Sequence, residues 1–164
     1  MEVAMKQIET SISARAIPLR IGRTGEVEVM IGRYQHGRFK LFKFGFPSGG
    51  IKENELVKDA MARELAEETG LRGACLSHTP YSFHDVVESP ELQIRRKVEL
   101  FYAAFLIAGG AEPVDTDEMK ENQFIPIGEL EAFYNEMLHF DVKAWKLFAL
   151  PLVSRLFPRC PCCA

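Results

Sequence analysis

Five residues in one short stretch carry the chemistry that can be read most directly from this chain: Glu55, Arg63, Glu64, Glu67 and Glu68. A helix turns by about 100° per residue. Glu64 with Glu67, and Glu64 with Glu68, therefore fall on neighbouring turns of one face. Val57, Ala60, Met61 and Leu65 form an apolar stripe at helical spacing. On the helical wheel Glu64 and Glu68 project within roughly 60° of Val57 and Met61. The carboxylates thus prolong the side of the helix that turns inward. Clustered there, they repel one another and resist desolvation. Arg63 can pair with Glu67 at four-residue spacing, but one arginine does not balance the set. A divalent cation does. Mg²⁺ and Mn²⁺ favour hard oxygen donors, and Mg²⁺ usually combines a few carboxylates with waters and substrate phosphates. On composition alone, a helix of ordinary salt-bridged glutamates is the competing reading.

Two local features must place these side chains. Asn54 is the expected N-cap of a helix over 54–69, and Gly70 its stop. Before it, Phe44 to Gly50 holds one proline and three glycines, which predicts a tight loop whose backbone can approach a metal or phosphate closely.

The remaining elements follow from periodicity. Ser11 to Ala16 and Val27 to Ile31 alternate as strands around a turn at Gly22 and Gly25 and make an antiparallel hairpin. Phe39, Leu41 and Phe44 mark a short extended run. Cys75 to Val87 is strand-like but irregular. Arg96 to Ala108 is apolar on both faces, which suits a central strand. Gly109 to Gln123 reads as a polar loop, Phe124 to Ile127 as a short edge strand, and Gly128 to Leu138 and Asp141 to Leu156 as helices, the second kinked or split by Pro151. Mixed strands with a few helices predict α+β or three-layer α/β/α packing.

The 23 residues from Gly49 to Leu71 carry a resemblance. Gly49, Glu55, Arg63-Glu64-Leu65, Glu67-Glu68 and Gly70-Leu71 stand at the spacing of the Nudix box and match it at every defined position. The stretch resembles that of a Nudix hydrolase. The resemblance implies a single domain over 1–164, folded as an α/β/α sandwich on a mixed sheet. It implies that Glu64, Glu67 and Glu68 bind Mg²⁺ or Mn²⁺, that Arg63 orients the carboxylates, and that Glu55 supports the loop and helix. Ser48 aligns with a loop residue whose carbonyl can reach a metal. Relatives often add a glutamate from a later loop; Glu118 is the first choice here, as metal ligand or general base, ahead of Glu121 and Glu112. The implied reaction is attack of water at phosphorus, cleaving a phosphoanhydride.

Among basic residues, Arg33 and Lys43 flank the loop and are the preferred phosphate contacts, ahead of Arg38, Lys40, Arg95, Arg96 and Lys97. His78 and His84 receive no catalytic role. Ala16 to Arg20, Val27 to Ile31 and Phe46 to Gly50 are similar to Nudix enzymes acting on dinucleoside polyphosphates or diphosphoinositol polyphosphates. Val86 occupies the position of a proline found in many ADP-ribose-cleaving relatives. Glu88 replaces a tyrosine of some dinucleoside polyphosphate hydrolases. A nucleotide-sanitising or ADP-sugar pyrophosphatase, and a nucleotide-binding protein of this fold that does not cut its ligand, stay open as alternatives.

Composition limits the partners. At 164 residues and 47% hydrophobic, the chain can bury a sizeable core. A net charge of -3 gives no general basic surface for a nucleic acid polymer. The apolar run from Leu100 to Ala108 is far too short for a membrane span. Glu2 and Glu9 interrupt any apolar signal core, so a cytoplasmic location is expected. The expected partner is a small phosphoanhydride substrate, and a homodimer stays open. Cys160, Cys162 and Cys163 crowd the end of the chain; with Cys75 as the other cysteine they form no disulfide framework, and 158–164 reads as a flexible tail.

Overall fold

Alternation along two long strands decides the centre of the molecule. The structure, a computed structural model, describes residues 9–37, 42–77, 79–89 and 94–158. The chain runs through β1 (Glu9–Ile21), β2 (Val27–Tyr34), two short strands β3 (Phe44–Gly45) and β4 (Ser48–Gly49), and helix α1 (Val57–Thr69). It continues through β5 (Gly73–Cys75), β6 (Tyr81–Ser89), β7 (Ile94–Ile107) and β8 (Met119–Pro126). A 3-10 segment (Ile127–Glu136) leads to α2 (His139–Ala144), a π-helical turn (Trp145–Ala149) and α3 (Leu150–Leu156).

β1 and β7 pair in parallel from Glu9 opposite Arg96 to Leu19 opposite Leu106. The other edge of β7 is covered by β6 and then β5, both antiparallel. The other edge of β1 pairs with β2 at Leu19 to Ile21 and with β4 at Ala14 and Arg15. β8 closes the far side of β2, antiparallel from Glu28 to Tyr34. The sheet is therefore mixed.

Successive side chains of a strand point to opposite faces. Ala103, Phe105 and Ile107 of β7 join Ala14, Ala16 and Met30 under Ala60, Met61 and Leu65 of α1. Leu100, Tyr102 and Ala104 join Ile17, Leu19, Val29 and Ile31 under Phe140, Trp145, Leu152 and Val153. Each large apolar side chain buried in this way contributes about 1.5–3 kcal/mol. Helices on both faces of the mixed sheet give the expected three layers, and β7 is apolar on both sides as a central strand must be.

Several boundaries differ from the sequence reading. α1 begins at Val57 after Leu56, not after Asn54. Asn54 has φ 61°, a left-handed conformation that asparagine tolerates, so it belongs to the turn ahead of the helix. Gly70 ends α1 as expected, with φ 74° and its N–H bonded to the Ala66 carbonyl. β8 starts at Met119, five residues before the predicted edge strand. Its first half carries Lys120, Glu121 and Asn122, and its register against β2 shifts between Ile31 and Arg33. Glu121 sits at φ 54°. Such an irregularity disturbs the apolar alternation by which a strand is recognised.

The segment after β8 is a 3-10 helix rather than an α-helix. Pro151 does act on the last helix. The turn just before it widens to π geometry, with the Leu150 N–H bonded to the Trp145 carbonyl five residues back. The irregular stretch from Cys75 to Val87 resolves into β5 and β6 with a break between them. Phe39, Leu41, Arg38, Lys40, His78 and the three C-terminal cysteines lie outside the described residues, as do the side chains of Glu88 and Arg95. Among the described residues, no helix is long and apolar enough to cross a membrane.

Candidate metal centre

α1 packs on the sheet through Ala60, Met61 and Leu65, and that contact rotates Glu64 and Glu68 inward with them. Glu64 is 7% exposed and Glu68 3%. Glu118, exposed at the threshold of β8, completes a group whose carboxylate oxygens lie within 4.8 Å of one another. Three hard oxygen donors so close together, two of them buried, suit Mg²⁺ or Mn²⁺.

The backbone around the cluster fits the same use. A Cβ added at Gly49 would fall on the Glu64 carboxylate, so a larger residue there would displace it from the cluster. The Ser48 N–H donates to Glu68 Oε2 at 2.9 Å. Glu118 is brought in by a loop tied to the C-terminus of α1, where helical carbonyls lack partners of their own. Thr116 Oγ1 and Asn122 Nδ2 both donate to the Glu68 carbonyl at 3.1 Å, and the Val114 N–H donates to the Thr69 carbonyl at 2.9 Å. The Gln35 N–H, just past the end of β2, donates to the Glu118 carbonyl at 2.9 Å and fixes it from that side as well.

Arg63 is shared among the glutamates. It reaches Glu55 through Nε at 2.7 Å and Nη2 at 2.9 Å, Glu64 at 2.5 Å and Glu67 at 3.3 Å. Its Nη2 also donates to the Gly50 carbonyl at 2.9 Å, which ties the helix to the loop. Glu67 stands one step around α1 from the cluster, its side chain 55% exposed.

Hydrogen bonds from Arg63, and one from the Lys52 N–H, lower the Glu55 carboxyl from its ordinary 4.5 to about 2. A carboxyl lowered on folding stabilises the native state above its unfolded value, and loses that contribution as pH falls through the folded one. The Glu55 contribution is therefore complete above about pH 4.5 and lost between 4.5 and about 2. Urea midpoints measured across this window should fall more steeply for the wild type than for Glu55→Gln; parallel profiles would refute the assignment.

The two predicted phosphate contacts are placed differently. Arg33 pairs with Glu121, donates to the Phe42 carbonyl at 2.9 Å and lies 4.1 Å from the centre of the Phe44 ring. Its guanidinium is committed to the β2–β8 edge. Lys43 is exposed, and its carbonyl accepts from the Tyr34 N–H.

A second charged group escaped the sequence reading. Arg15 and Asp141 are 1% and 0% exposed and form a two-point pair, Nε to Oδ1 at 2.8 Å and Nη2 to Oδ2 at 2.9 Å. Burial opposes the Arg15 cation, and Asp141, with Tyr102 and Tyr34, outweighs that and holds it charged. Alternation in β1 puts Arg15 on one face with Ser11 and Ser13, and α2 covers Arg15 there. An arginine set between Ala14 and Ala16 in a central strand was the available signal, because a buried arginine requires a partner.

Beside this pair lies a cleft of about 220 Å³, on the face of the sheet away from α1. Ser11, Ser13, Arg96 and Phe140 line it, and Gly49 and Gly50 form its border with the loop.

Solved structures share this fold. A MutT protein from Methanosarcina mazei Go1 aligns over 89% of this chain and 97% of its own, at 20% identity and a TM-score of 0.63. The NUDIX domain of Shewanella oneidensis NrtR, complexed with ADP ribose, aligns over 93% and 94%, at 13% identity and a TM-score of 0.61. An Ap4A hydrolase from C. elegans aligns over 87% and 98%, at 12% identity and a TM-score of 0.62. At these identities the likeness is one of fold. No curated protein matches the sequence. The family itself is decided by the sequence match, which runs over residues 12–146 against the NUDIX domain: the chain is a member of that family.

Proposed function

We propose that this protein hydrolyses a phosphoanhydride bond in a small nucleotide-linked substrate, with Mg²⁺ or Mn²⁺ held by Glu64, Glu68 and Glu118. One observation carries this reading: three carboxylates from two separate elements converge within 4.8 Å, with Gly49 leaving room for the Glu64 carboxylate. When bound, the ion neutralises phosphate oxygens and lowers the pKa of a water. Every other task falls to the chain. Arg63 holds Glu55, Glu64 and the Gly50 carbonyl in one arrangement, so the carboxylates do not reorganise during the reaction. Glu67 stands next to them as a further ligand. Glu118 is exposed and reaches solvent, which suits it to accept the proton of the attacking water.

The cleft supports a choice of substrate class. Ligand pockets commonly span about 300–1,000 Å³. At about 220 Å³ this one suits a single sugar or nucleoside unit, with the rest of the substrate lying across the loop. Arg96 lines the cleft and Arg33 does not, which places Arg96 nearer the substrate, while Lys43, exposed beside the loop, can approach an outer phosphate. Among the described residues only Arg15 and Arg96 bring positive charge to the cleft lining, which favours a nucleotide-linked diphosphate over a diphosphoinositol polyphosphate. The structural neighbours fit that preference, since one is an Ap4A hydrolase and another binds ADP ribose.

The test is turnover in oxygen-18 water against nucleoside triphosphates, ADP ribose, Ap4A and a diphosphoinositol polyphosphate, each with Mn²⁺. A nucleotide-linked substrate should be cleaved with label in one phosphate product. Turnover without label in any phosphate, or tight nucleotide binding with no turnover in either metal, would overturn the reading.

A further inference from the structure

We infer that the buried Arg15–Asp141 pair is a positioning device for the metal-binding loop, acting together with Tyr34 on the placement of Glu68. The inference rests on the metal reading above. Asp141 accepts four hydrogen bonds. Three come from the core: two from Arg15, and one from the Tyr102 hydroxyl at 2.5 Å. The fourth comes from the loop, the Phe46 N–H at 3.0 Å.

The carbonyl of the same residue is held as well, by the Tyr34 hydroxyl. That hydroxyl also bonds Ser48 Oγ at 2.8 Å. Between these two points the Pro47 carbonyl accepts from the Ala16 N–H at 2.9 Å. Three consecutive residues are therefore gripped, and the last of them donates its N–H to Glu68 Oε2. A continuous line of bonds and rigid backbone runs from α2, through the loop, to a buried carboxylate of the cluster. Gly45 completes the fit, since a Cβ there would collide with Asp141 Oδ2.

Stability alone accounts poorly for this construction. A buried ion pair seldom stabilises more than apolar residues of the same volume would. What this pair adds is direction: one carboxylate, fixed by a fork of two N–H groups and a tyrosine, aimed at one loop amide. Groups that orient metal ligands from behind typically change metal affinity by 10–100-fold.

Mn²⁺ binding measured by calorimetry reads the effect without turnover. Tyr34→Phe keeps the ring and removes both loop bonds, and Asp141→Asn keeps the shape and removes the charge. Each should raise the Mn²⁺ dissociation constant about tenfold. On whichever substrate of that panel the protein cleaves, each should lower kcat and leave KM little changed. Leu130→Ala weakens the same core layer away from the loop and should leave Mn²⁺ affinity unchanged. Wild-type affinity in Tyr34→Phe would overturn the inference, as would an equal loss in Leu130→Ala. If Asp141→Asn does not fold, Tyr34→Phe decides alone. If the wild type binds no Mn²⁺, the proposed function fails and this inference with it.

Discussion

Glu68→Gln is expected to reduce kcat/KM by at least about 100-fold while leaving the protein folded. The carboxylate is 3% exposed, accepts from the Ser48 N–H and faces Glu64 and Glu118. An amide keeps the shape and one acceptor but removes the negative charge that holds a cation. Metal assistance supplies several kcal/mol of transition-state stabilisation, and each 1.4 kcal/mol or so corresponds to tenfold in rate. The urea midpoint should hold or rise, because repulsion from Glu64 is relieved. Turnover near the wild-type value would remove Glu68 from the site.

The second large effect is on stability. Asp141→Leu strands the Arg15 guanidinium, 1% exposed, without its carboxylate. Breaking a buried pair in this way costs about 3–5 kcal/mol. Urea unfolding should show a loss of that size. Removing the stranded charge as well should recover part of it, so Arg15→Met/Asp141→Leu should be more stable than Asp141→Leu alone. The Phe46 N–H and the Tyr102 hydroxyl stay without their acceptor in both variants, so recovery falls short of the wild type. A double variant no more stable than the single would show that charge burial is not the source of the loss.

What could be read from the sequence follows from how local each signal is. The inward turn of Glu64 and Glu68 depends on helical period and a neighbouring apolar stripe, both contained in a dozen residues. The three-layer arrangement follows from the two-sided apolar character of β7 and from helical segments lying before and after it. The role of Gly49 was legible as a close approach, though not that Glu64 is what it approaches. The Arg15–Asp141 pair spans 126 positions, and nothing near either residue names the other. The early start of β8 was hidden by Glu121 in a left-handed conformation and by polar residues whose partners, such as the Glu68 carbonyl for Asn122, lie on another element. Arg33 was legible as a cation near the loop, but its commitment to Glu121 depends on a register shift between β2 and β8.

The central claim is that hydrolysis depends on a divalent ion held by the carboxylates of α1 and the threshold of β8. Its most direct test is the rate of phosphoanhydride cleavage after chelation and during stepwise return of Mg²⁺ or Mn²⁺. Turnover should vanish on chelation and return along a saturating curve; in Glu118→Gln the curve should shift to higher metal concentration and level off at a lower rate. Cleavage that persists at full rate after chelation would contradict the account.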